Sequence, residues 1–109
     1  MGSLKDSVFT KIDSIKDEII QATSDLVQIR SVNPGYPGVD FDQEIGGETK
    51  SCEFLKGIYD GMGLDVGQWE IVDGRGNIAA VWKGSGGGKS LLHNGHVDTV
   101  PSGLPENWK

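Results

Sequence analysis

Two side chains near the end of the chain have types and spacing suited to metal chemistry. His96 and Asp98 are two apart in Ser90-Leu91-Leu92-His93-Asn94-Gly95-His96-Val97-Asp98-Thr99-Val100-Pro101. A neutral imidazole is the commonest protein ligand for Zn²⁺, and its second ring nitrogen usually donates to a carboxylate that fixes the tautomer. His-x-Asp can supply both, with His96 as ligand and Asp98 either as its partner or as a second ligand. On spacing alone, a surface His beside a solvated Asp is the commoner reading of so short a pattern.

The elements that must position this pair follow from periodicity. Residues 90–97 read as a strand, which puts Leu92, Asn94, His96 and Asp98 on one face and His93 on the other. Pro101 has no N–H to donate, so pairing should stop before it. A strand end is where open α/β sheets hold ligands. Upstream, apolar residues at Val8, Ile12, Ile15, Ile19, Ala22, Leu26 and Ile29 predict one long helix from about Lys5 to Arg30, with that stripe packed on a sheet. Asn33-Pro34-Gly35 and Pro37-Gly38 mark 31–47 as loop. A second helix is expected from about Gly47 to Gly61, capped by Thr49, with Cys52, Leu55, Ile58 or Tyr59, and Met62 as its core stripe. Residues 64–72 and 77–82 then predict an antiparallel hairpin around Asp73-Gly74-Arg75-Gly76. The expected fold class is therefore α/β: two helices, then three strands.

Read onward from Leu91, the segment resembles the first metal-binding motif of the M20 metallopeptidase and amidohydrolase family, which includes acetylornithine deacetylase and succinyl-diaminopimelate desuccinylase. Gly95, His96, Asp98, Val100, Pro101, Gly103 and Trp108 occupy the motif positions, and the loop's Ser-x-Asn-Pro is also similar to the family's. The resemblance implies a zinc-exopeptidase-like catalytic domain with two zinc ions, for which cobalt or manganese could substitute. It implies hydrolysis of an amide bond in an N-acyl amino acid or small peptide, a deacylase. A dipeptidase or carboxypeptidase of the same family is the alternative. By the same resemblance His96 is a ligand of one zinc, and Asp98 acts in catalysis by orienting its imidazole. His93 matches no family ligand and reads as structural.

The family's other ligands and its general base match nothing within these 109 residues. The expectation is thus that residues 1–109 form the N-terminal part of a larger catalytic domain, without the lid and dimerisation domain, inactive and poorly soluble alone. A homodimer is compatible with the full-length family. Outside the family, the competing reading is a small non-enzymatic α/β binding module.

Composition narrows the classes. A net charge of −6 without a basic stripe argues against nucleic acid. No apolar run approaches the ~18 residues of a membrane span, and the N-terminus has no basic-then-apolar leader. A single cysteine, Cys52, excludes an internal disulfide and fits a reduced, cytoplasmic setting. Two glycine-rich stretches are decoys. Gly74-Arg75-Gly76-Asn77-Ile78-Ala79 and Gly84-Ser85-Gly86-Gly87-Gly88-Lys89-Ser90 resemble nucleotide loops, but each is followed by a predicted strand where such loops need a helix.

Overall fold

The computed structural model describes residues 2–109. Its elements run α1 (Leu4–Ser14), α2 (Lys16–Val27), α3 (Phe41–Glu44), α4 (Gly47–Gly61), β1 (Asp65–Val72) and β2 (Arg75–Val81), followed by a 3₁₀ turn over Pro105–Asn107. The chain is a mixed α/β structure, and its organised centre is α4 packed on the β1–β2 hairpin.

The hairpin forms as its sequence predicts. The strands are antiparallel, with Asp65 opposite Val81 and Gln68 opposite Ile78, and the register shifts between Glu70 and Val72. Asp73-Gly74 is the two-residue connection, and Gly74 sits at φ +79°, a conformation that costs glycine nothing. Its carbonyl accepts from the Gly46 N–H at 3.1 Å, tying the turn to the start of α4. The first glycine-rich stretch is thereby turn and strand.

Helix α4 buries Gly47, Glu48, Ser51 and Cys52. Cys52 is 1% exposed, and burial, then the Glu48, Glu53 and Glu70 carboxylates, push its thiol pKa up. The helix starts two residues before the expected Thr49 cap. Gly46 is the N-cap, and the Thr49 hydroxyl instead donates to Glu70 Oε1. Met62 lies past the helix end and is exposed, so it is not core.

Three other expectations are corrected. The single long helix is two, broken at Ile15 (φ −113°, ψ 12°). The Ser14 hydroxyl donates to the Lys11 carbonyl at 2.7 Å, and serine back-bonding of this kind bends helices. The apolar stripe is not core: neither α1 nor α2 contains a buried residue, Val8, Ile12 and Ile19 are exposed, and Ile15, Ala22, Leu26 and Ile29 are only half-buried. An amphipathic helix hides its stripe only against another layer, and the helix packed on the hairpin is α4. The loop at 31–47 holds a helical turn, α3, capped by Asp40 Oδ1, which accepts from the Asp42 and Gln43 N–H groups.

The third strand is absent. Residues 90–97 lie in no ladder among the described residues, and the one bridge nearby is a parallel pairing of Val32 with Thr99. Strand conformation needs a neighbour to take its N–H and C=O groups, and β2 pairs only with β1. The sheet is therefore two-stranded, not three-stranded.

Candidate metal-binding site

The His96–Asp98 segment is positioned by residues 31–33. The Thr99 N–H donates to the Ser31 carbonyl at 3.0 Å and the Asn33 N–H to the Thr99 carbonyl at 2.9 Å. The Ser31 hydroxyl donates to the Val97 carbonyl at 2.7 Å. Residues 31–33 are held in turn from α3 and α4. Arg30 makes a forked ion pair with the buried Glu44, and those hydrogen bonds hold the Glu44 carboxyl below its ordinary pKa despite burial. Gly47 passes so close to residue 30 that a Cβ there would lie 2.2 Å from the Arg30 carbonyl oxygen.

Within this frame the two candidate side chains meet. The His96 Nδ1 lies 2.9 Å from Asp98 Oδ1 and 3.0 Å from the Asp98 carbonyl oxygen, so Nδ1 carries the proton and donates. In the neutral form of such a ring the other nitrogen, Nε2, presents a lone pair. His96 is 82% exposed and Asp98 30%. The second oxygen of Asp98, Oδ2, accepts from the Asn33 amide at 2.9 Å. Both carboxylate oxygens are thus engaged, one by the imidazole and one by the amide.

The pair lines an open cleft of about 430 Å³. Asn94 and, from the hairpin, Trp69, Arg75 and Asn77 also line it. Arg75 is not free to act as an anion hook. Its guanidinium makes two 2.6 Å hydrogen bonds to the buried Glu48, which, with a smaller contribution from the Asp98 charge, raise its pKa further. His93 is exposed and does not line the cleft.

The donor set fits one position in a metal shell: an imidazole with a free Nε2, its tautomer fixed by a carboxylate. Among the described residues there is no group of three or more His, Cys, Asp or Glu side chains that could hold an ion. The sequence singles out His96 and Asp98 and marks Ser31-x-Asn33-Pro34 as a loop similar to the family's, without assigning Ser31 or Asn33 a role. Asn-Pro-Gly signalled the turn, yet nothing in it signals a partner 65 residues away.

Comparison with known proteins gives a metallohydrolase-type relationship. The chain is 33% identical over 100 residues to an uncharacterized metallohydrolase of Methanococcus maripaludis, covering 87% of this chain and 24% of the relative. It is 25% identical over 105 residues to the N-formyl-4-amino-5-aminomethyl-2-methylpyrimidine deformylase of Bacillus subtilis, covering 94% and 22%. To the succinyl-diaminopimelate desuccinylase of Roseobacter denitrificans it is 29% identical over 89 residues, covering 82% and 20%. The chain thus spans less than a quarter of the length of these curated relatives. No family model matches it, and no solved structure does.

Proposed function

We propose that this chain is part of an M20-type, zinc-dependent hydrolase that removes an acyl group from an amine nitrogen. The observation that carries the reading is the hydrogen-bonded series His96–Asp98–Asn33. It leaves Nε2 of His96 as the open donor and engages every other polar atom of the pair, the arrangement that metal-bound histidines share. The similarity to a desuccinylase and a deformylase supports the acyl-transfer class, since their names describe loss of a succinyl and a formyl group.

In this reading His96 contributes one ligand. Asp98 keeps the proton on Nδ1 and makes Nε2 a better base. Asn33 and Ser31 hold the segment that carries both. The chemistry a bound zinc supplies is Lewis acidity toward the amide carbonyl and a water pKa lowered from 15.7 to about 7. A catalytic zinc takes about three protein ligands besides water, so the remaining ligands and the general base are proposed to come from outside residues 1–109.

The test uses the protein translated from its full reading frame, loaded with zinc and assayed on N-formyl, N-succinyl and N-acetyl amino acids and on dipeptides. The N-acyl substrates should be hydrolysed, with activity lost to a chelator and restored by zinc. Preference for dipeptides would move the assignment to a peptidase. Failure on every substrate would favour a binding module.

A further inference from the structure

We infer that Asn33 is a positioning residue whose amide fixes the Asp98 carboxylate and, through it, the tautomer and direction of the His96 ring. This rests on the reading of His96 as a metal ligand and adds to it a residue that no comparison assigns. Both ends of the Asn33 side chain are engaged. Its Oδ1 accepts from the Gly35 N–H at 2.8 Å, an Asx turn that the following Pro34-Gly35 favours. With the oxygen end occupied, the amide cannot rotate to present oxygen to Asp98 without breaking the turn. The Nδ2 end therefore faces Asp98 and donates to Oδ2 at 2.9 Å.

That donation matters because a carboxylate with one free oxygen can pivot about its Cβ–Cγ bond and offer either oxygen to the imidazole. Here Oδ2 is held by Asn33, and Oδ1 remains for Nδ1 of His96 at 2.9 Å. The series Gly35 N–H, Asn33, Asp98, His96 is oriented at every link, and each donor and acceptor is used in the only sense its neighbour permits. The backbone is held in the same register, by the Asn33 N–H to the Thr99 carbonyl and the Thr99 N–H to the Ser31 carbonyl. The dyad's orientation is thus set from the turn after α2, 65 residues earlier in sequence.

Two variants separate this role from a purely structural one. Asn33→Ala removes the donor to Asp98 together with the turn acceptor and adds no charge beside the carboxylate. Asn33→Ser keeps a weaker turn acceptor and is too short to reach Asp98. In the full-length protein, zinc affinity is read by competition with a chromophoric chelator, alongside Tm and the His96 tautomer from ring ¹⁵N shifts of the metal-free protein. The wild type should show the Nδ1–H tautomer. Both variants should show a mixture of tautomers and zinc affinity lowered about 10-fold, the low end of the range for residues behind a metal ligand, with Tm little changed.

Wild-type tautomer and zinc affinity in both variants would overturn the inference, as would a loss of affinity that merely follows a fall in Tm. His96→Ala is measured in parallel. If it binds zinc as the wild type does, the metal reading itself fails. If it loses zinc while both Asn33 variants keep it, only the role of Asn33 fails.

Discussion

At the scale of single residues, the separation of two between His96 and Asp98 is enough to bring Nδ1 within 2.9 Å of Oδ1, with no strand needed to align them. The contact is local, so it survives the loss of the predicted strand that suggested it. Replacing Asp98 by Asn keeps the shape but exchanges a charged acceptor for a neutral amide. Zinc affinity, or kcat at saturating zinc, should fall about 10–100-fold in the full-length protein, whereas His93→Ala should leave both unchanged. Titration with zinc under chelator competition checks the pair, and equal affinity for Asp98→Asn and wild type would contradict the orienting role. The contact between His96 and Asp98 was legible in the sequence as a spacing, while the metal role given to the pair came from the resemblance of the residues around it. Asn33 and Ser31 were not legible, because their relation to the dyad is a contact across 65 and 66 residues that no local pattern encodes.

At the scale of elements, what was legible is what depends on near neighbours. The β1–β2 hairpin needs only a two-residue turn and β-forming flanks, and it forms as expected. The strand at 90–97 needs a distant edge to pair with, and its apolar, alternating sequence cannot supply one. The long helix is interrupted at Ile15, a change of backbone angle that apolar periodicity does not register. The Arg30–Glu44 ion pair was equally hidden, though it anchors the turn that carries Asn33. It makes a prediction with a definite sign. Glu44 has a folded-state pKa below its ordinary 4.5, chiefly from the Arg30 hydrogen bonds. Its stabilising contribution is therefore complete above that value and is lost as pH falls through the lower folded value. Glu44→Gln should lower Tm near neutral pH, and the gap from wild type should close as pH drops below 4.5. A gap that stayed constant down to strongly acid pH would contradict a stabilising role for the ionised Glu44 carboxylate.

At the scale of the whole molecule, the chain is extended. Its radius of gyration is 17.5 Å, with extents of 56 × 36 × 22 Å; a compact domain of this length would have a radius near 13 Å. The accessible surface is 9081 Å², against about 5,900 Å² for a folded monomer of this mass. The excess includes the α1–α2 stripe and Leu91 and Leu92, apolar surface of the kind that ordinarily lies inside a core. Composition gave no sign of this, since an exposed stripe and a buried one read identically in sequence. Residues 1–109 expressed alone should melt over a broad range and bind a hydrophobic dye such as ANS, and a sharp two-state transition without dye binding would contradict that expectation. No helix among the described residues is long and apolar enough to cross a membrane.

The most direct test of the account is the zinc content, by elemental mass spectrometry, of the protein translated from the full reading frame, for wild type, His96→Ala and His93→Ala purified side by side. The account predicts that His96→Ala loses zinc relative to wild type while His93→Ala retains it. Equal zinc in His96→Ala and wild type would contradict the assignment of His96 as a ligand, and the hydrolase reading built on it would fall.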